Sequence, residues 1–137
     1  SEYQRIELDL PKKIAYLAKQ NNIKSFIFIS SGFANSRSSG DYLKFKGLVE
    51  EELINLKFDN LGILRPSFLL GNRLEKRIAE KIGIIIFQFL SPLMIGPLKR
   101  MKPIHVKLVA NAMIKIAQSN LSEVIFESDE IVKLNQN

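Results

Sequence analysis

Tyr42 and Lys46 stand four residues apart in the stretch SSGFANSRSSGDYLKFKGLVEEEL, residues 30–53, which opens with the serine pair Ser30 and Ser31. On a helix, residues four apart are neighbours on one face, with Cβ atoms about 5–6 Å apart. A lysine held there as an ammonium stabilises the tyrosinate and lowers a phenol pKa that is ordinarily about 10, which makes the tyrosine a usable acid or base nearer neutral pH. A serine hydroxyl on the adjacent strand end could hold a substrate oxygen while that proton moves. The three groups suit reduction of a small-molecule carbonyl, or oxidation of an alcohol, with hydride carried by a nicotinamide. The same spacing also arises when a tyrosine packs in a core stripe and the lysine is solvated, so the surrounding elements decide between the two.

Those elements alternate. Asp9 followed by Pro11 reads as a helix start, and Leu10, Ile14, Leu17 and Ala18 keep helical spacing until Asn21 and Asn22. The run Phe26–Ile29 (FIFI) is continuously apolar, as suits a strand buried on both faces of a parallel sheet. A loop rich in Ser, Gly and Asn follows from Gly32 to Gly40, and Asp41 is placed to cap the next helix. That helix extends to about Lys57, with Tyr42, Phe45, Val49, Leu53 and Leu56 on one stripe and Glu50, Glu51 and Glu52 on the other side. Leu61–Leu64 reads as a second buried strand ended by Arg65 and Pro66, and a helix is expected from Leu74 until near Pro92. Val106–Ser119 has a helical period in Val106, Val109, Ala110, Met113, Ile116 and Ala117. Glu123–Phe126 is a short strand candidate, and Asp129 a cap for a last helical turn. The order implies one α/β domain over residues 1–137, a Rossmann-like parallel sheet with flanking helices.

Composition narrows the chemistry. The net charge is +6, but the basic residues are scattered and no aromatic-basic pattern accompanies them, so no nucleic-acid partner is expected. No cysteine is present, and one histidine cannot form a metal cluster by itself, so no metal is expected. The opening SEYQRIELDLPKK is too polar for a secretory signal, which suggests a cytoplasmic protein. Ile82–Gly96 (IGIIIFQFLSPLMIG) contains Gln88, Ser91 and Pro92 and falls short of the roughly 18–20 apolar residues a membrane span needs. It reads as buried wall or interface, and Ile84–Lys102 as the segment that sets substrate specificity.

FIFISSGFANSRSSGDYLKFKGLVEEELINLKFDNLGILRPSFLLGNRLEKR, residues 26–77, resembles the second half of an atypical short-chain dehydrogenase/reductase, closest to the Tat-interacting oxidoreductase-like subgroup. The resemblance is carried by the strand ending in SS, the G-x-A turn of Gly32, Phe33 and Ala34, the Y-L-x-x-K-G helix start, the acidic helix, the strand into R-P, and L-L-G-x-R-x-E-x-R. The later PIHVKLVANAMIKIA and FESDEI are similar to the family's closing segments, with less specificity. The resemblance implies that Tyr42 is the proton donor or acceptor, and that Lys46 both perturbs Tyr42 and binds the nicotinamide ribose of NADP or NAD. Ser31 aligns with the catalytic serine by its strand, and Ser30 is nearly as good by its distance from Tyr42. The same alignment places Pro66, Ser67, Phe68 and Leu69 in the loop over the cofactor, and Arg77 as a basic residue touching it.

The glycine-rich turn that receives a dinucleotide's pyrophosphate does not occur here: Gly32, Gly40, Gly47, Gly62, Gly71, Gly83 and Gly96 never approach its spacing. The chain therefore reads as the C-terminal portion of such a domain, apparently lacking the N-terminal strands and with weak cofactor affinity and no turnover when isolated. Phe26–Ile29 would then be an open sheet edge, to be covered by a partner chain or a second copy. An alternative is a non-catalytic nucleotide-sensing or protein-interaction module on the same fold.

Overall fold

The computed structural model describes residues 1–70 and 103–136. Its first helical segment runs from Glu2 almost without a break to Gln20, as α1 (Glu2–Gln4), a π-helical stretch (Arg5–Asp9) and α2 (Leu10–Gln20). The expected start at Asp9 is thus corrected by eight residues. Ser1 caps the true start through a hydrogen bond from the Gln4 amide, at 3.2 Å. Pro11 is tolerated inside because a wider i→i+5 turn precedes it, where its missing N–H and its ring would disrupt an α-helical turn.

Three parallel strands form the main sheet in the order β1 (Ser25–Ile29), β2 (Asn60–Arg65), β5 (Ile125–Glu127). Phe26 pairs with Leu61, and Leu64 with Phe126. β5 lies two residues later than the Glu123 start expected for it. Two short strands, β3 (Leu69–Leu70) and β4 (Ile104–His105), make a second parallel pair that no apolar run or alternation announces.

Helices cover both faces. α2 and α3 (Asp41–Leu56) pack Ala15, Val49 and Leu53 against Leu61 and Ile63, with Phe26 and Phe28 beside them. On the other face Val109, Ala112 and Ile116 of α4 (Val106–Gln118) and Ile131 of α5 (Ser128–Leu134) pack on Leu64, Phe126 and Ile27. Gly62 permits this approach, because a Cβ there would lie 2.7 Å from Ile116 Cγ2. The fold is therefore mixed α/β with a three-stranded parallel sheet between helices, consistent with a Rossmann-like fragment.

Several local expectations need correction. β1 is only half-buried and Ile29 is exposed, since among the described residues β1 pairs on one side alone; its other edge is open. Gly40, with extended backbone, occupies the cap position of α3, which puts Asp41 in the first turn where its charge complements the helix dipole. Glu127, not Asp129, caps α5, in a reciprocal box with Glu130. α4 turns Ala112 inward and Ala110 and Ala117 outward. The helix expected from Leu74 and the apolar run Ile82–Gly96 lie outside the described residues. Among the described residues no helix is long and apolar enough to cross a membrane, and no group of three or more His, Cys, Asp and Glu could hold a metal ion.

Candidate functional site

The carboxyl ends of β1 and β2 and the first turns of α3 converge on one corner of the sheet. The hydrogen-bond ladder continues past the strands, from Ser30 N to Leu64 O at 2.7 Å and from Gly32 N to Pro66 O at 2.9 Å. The loops after both strands are thereby stitched together. A Cβ at Gly32 would sit 3.3 Å from Ser67 Cα, tighter than an ordinary contact, so the two loops lie close together here. Phe33 follows with φ of 66°, a left-handed conformation that costs a bulky residue on the order of 1–3 kcal/mol. The loop then lies against α3 at Gly47, where a Cβ would meet Ser36 N at 2.2 Å and Asn35 C at 2.4 Å.

Tyr42 and Lys46 share a face of α3. The Lys46 ammonium lies 5.7 Å from the centroid of the Tyr42 ring and 5.2 Å from that of Phe28. It also pairs with Glu7 of the π-helical stretch at 3.1 Å, which pins a half-buried lysine beside an exposed tyrosine. The solvated-lysine arrangement is therefore not the one found. Tyr3 is nearby, its ring centroid 5.9 Å from Phe45. Its phenol is pushed above its ordinary value, first by desolvation and then by the charges of Glu7, Tyr42 and Asp41.

The two serines have different surroundings. Ser30 continues the alternation of Phe26 and Phe28 and is buried, donating its hydroxyl to Glu50 Oε1 at 2.5 Å. Ser31 is half-buried, and its hydroxyl makes only a 3.3 Å contact with the Gly32 carbonyl. Pro66 is buried, Ser67 and Leu69 are half-buried, and Phe68 is exposed. The Ser67 amide donates to Ser128 Oγ at 3.0 Å, and Leu69 pairs with Ile104 in the small sheet. Arg77 lies outside the described residues.

Sequence reasoning missed the group that ties these segments together. Glu50 was expected among the solvated glutamates of α3, yet it is 3% exposed. Arg65 donates to both its carboxylate oxygens, at 2.9 Å and 2.5 Å, and to Glu127 Oε1 at 3.2 Å. The hydrogen bond to Glu50 is the main cause that holds the guanidinium above its ordinary, already high, pKa. Glu127 Oε2 is buried with no hydrogen-bond partner among the described residues. The network thus links α3, the ends of β1 and β2 and the start of α5. The one available signal was parity: the alternation of FIFIS turns Ser30 to the α3 face, where only a polar residue could receive its hydroxyl. A cavity of about 510 Å³ lies beside the network, lined by the loop from Phe33 to Ser36, by Gly47, Glu50 and Ile54 of α3, and by Arg65.

No protein-family model matches the chain. It is 32% identical over 139 aligned residues to the mitochondrial protein FMP52 of Candida albicans, covering 96% of this chain and 60% of that protein. It is 38% identical over 81 residues to mitochondrial FMP52 of Coccidioides immitis, covering 58% of this chain and 33% of the relative. With protein HTATIP2 of Rattus norvegicus the identity is 42% over 78 residues, covering 57% and 32%. The chain spans between about a third and three fifths of the length of these relatives. The FMP52 relatives are named as mitochondrial, which overturns the expectation of a cytoplasmic location drawn from the polar opening. Together with the parallel sheet, these similarities support a Rossmann-like family related to the short-chain dehydrogenases, at low identity.

Proposed function

We propose that this chain is the catalytic portion of an NAD(P)-dependent oxidoreductase of the atypical short-chain type, closest to the Tat-interacting oxidoreductase-like subgroup, that reduces a small-molecule carbonyl or oxidises the corresponding alcohol. The observation that carries the reading is the Lys46 ammonium held beside the Tyr42 ring by Glu7 and Phe28. The residues fit one end of a nicotinamide dinucleotide. Tyr42, Lys46 and the loop of Pro66, Ser67, Phe68 and Leu69 would hold the ribose and nicotinamide, with Arg77 reaching the same group. Among the described residues no glycine-rich turn is set to receive the pyrophosphate, since Gly32, Gly47 and Gly62 each serve a close packing contact. Residues 1–137 would then be the C-terminal portion of the domain, with the phosphate cradle in sequence beyond them. The relatives' names favour a mitochondrial location.

When bound, the cofactor, NADP or NAD, supplies hydride to the carbonyl carbon. The Tyr42 phenol gives its proton to the oxygen of that carbonyl as negative charge develops there. The Lys46 ammonium stabilises the tyrosinate left behind. Ser31 donates a hydrogen bond to the same substrate oxygen. Ser30 is committed to Glu50, so Ser31 is the better of the two. The test is a comparison of variants of the full-length protein. Tyr42→Phe should abolish most carbonyl reduction while cofactor affinity falls by no more than the one hydrogen bond its hydroxyl can make, and Lys46→Ala should weaken both strongly. Wild-type turnover in Tyr42→Phe would refute the proton-transfer role.

A further inference from the structure

In the stretch Arg65–Phe68 each residue is tied by a hydrogen bond to another segment of the fold. The Arg65 guanidinium reaches Glu127 Oε1 at 3.2 Å, and the Pro66 carbonyl accepts from Gly32 N at 2.9 Å. The Ser67 amide donates to Ser128 Oγ at 3.0 Å, and the Phe68 carbonyl accepts from Ile104 N at 2.8 Å. The ties at Pro66 and Phe68 are backbone to backbone, and the one at Arg65 belongs to the buried charge cluster. The tie at Ser67 hangs on a single hydroxyl.

That hydroxyl replaces a rung of the sheet. Where Ile63 pairs with Ile125, the Ile63 amide donates to the Val124 carbonyl. Four residues further along both segments, the same parallel pattern would give the Ser67 amide to the Ser128 carbonyl. The chain has by then turned into α5, whose first residue is Ser128, and that carbonyl is directed along the helix. The Ser128 side chain receives the amide instead. Helix capping does not account for this serine, because Glu127 and Glu130 already form the reciprocal box that caps α5. Ser128 is 1% exposed, and the second partner of its hydroxyl is the Ser67 hydroxyl, at 3.5 Å. A buried hydroxyl costs free energy unless it is hydrogen-bonded, so Ser67 explains its place here.

We infer that Ser128 is a positioning residue for the nicotinamide end of the cofactor: by holding the Ser67 amide it fixes the loop of Pro66, Ser67, Phe68 and Leu69 in its binding shape before the cofactor arrives. This rests on the function proposed above, in which that loop holds the ribose and nicotinamide. A loop already ordered in the free protein loses little conformational freedom on binding, so its order is read as affinity. Ser128 acts through Ser67 rather than by touching the cofactor.

Two measurements on the full-length protein test this. In the cofactor-free wild type, hydrogen exchange followed by mass spectrometry should find the Ser67 amide protected, and in Ser128→Ala it should exchange several-fold faster. Calorimetric titration should find NADPH or NADH, whichever the wild type binds, weakened roughly 3–10-fold in Ser128→Ala. ADP or its ribose-phosphorylated form, which carries neither the nicotinamide nor the ribose attached to it, should bind both proteins equally. Ile116→Val, a small truncation in the core under α4, should lower stability and leave both affinities unchanged. Equal dinucleotide affinity in wild type and Ser128→Ala, an equal loss for ADP, or the same loss in Ile116→Val would overturn the inference while the proposed function stands. An unprotected Ser67 amide in the wild type would overturn it without any variant. A wild type that binds neither dinucleotide would remove the proposed function and the inference with it.

Discussion

Arg65→Met removes the one cation from a buried cluster while keeping an apolar side chain of similar length. In the wild type the guanidinium donates at 2.9 Å and 2.5 Å to Glu50 and at 3.2 Å to Glu127, and the three side chains are 20%, 4% and 11% exposed. Without it two carboxylates remain close together, with the Ser30 hydroxyl as the donor left to Glu50. Breaking a buried pair from one side costs about 3–5 kcal/mol. The lower end applies here, because the partly exposed corner admits water once the guanidinium is gone. A loss of about 3 kcal/mol is a large share of the roughly 5–15 kcal/mol by which domains are stable. Urea denaturation of the full-length protein at neutral pH, followed by far-UV circular dichroism, measures the loss. A deficit under about 1 kcal/mol would refute the assignment of this cluster as a structural tie.

Gly47→Ala should destabilise the chain by more than about 2 kcal/mol in the same assay, because the new Cβ lies 2.2 Å from backbone that must move; a neutral effect would mean that the loop at Asn35 and Ser36 yields freely. Ser30→Ala should lower stability by about 1–3 kcal/mol by depriving Glu50 of a donor, while Ser31→Ala should leave stability unchanged and, on the proposed function, reduce carbonyl turnover by the full-length protein; the reverse pattern would exchange their roles. Ile27→Lys on the open edge strand should destabilise the chain, since Ile27 packs on the α4 face; unchanged stability would contradict that packing.

The layered fold was legible because its signals are local. FIFI and LGIL are apolar runs of strand length, and the stripe through Val49 and Leu53 has a helical period; both strands and the helix between them lie where those patterns put them. The Tyr42 and Lys46 pair was legible for the same reason, since four residues on one helix fix their proximity. What escaped was long-range. Glu50 sits in a run of three glutamates that resembles a solvated face, and its partner Arg65 resembles a strand terminus. Only the tertiary fold brings residues 50, 65 and 127 together and makes burial tolerable. The early helix start was hidden by Pro11, a breaker in an α-helix that a preceding π-turn accommodates. The shift at α5 has a similar origin, because Glu127 serves both as last strand residue and as cap.

In the proposed reaction Tyr42 delivers a proton while hydride passes from a nicotinamide to a carbonyl. The most direct measurement follows the label. The full-length protein is given NADPH or NADH carrying deuterium on either face of the nicotinamide C4, together with a panel of aldehydes and ketones, and the alcohols formed are examined by mass spectrometry. Deuterium is expected on the carbinol carbon from one face only, in equal amount to the cofactor oxidised, with the yield reduced about 100-fold or more in Tyr42→Phe. Tight cofactor binding with no label transferred to any carbonyl, or transfer undiminished in Tyr42→Phe, would contradict it, the first result in favour of a nucleotide-sensing module on the same fold.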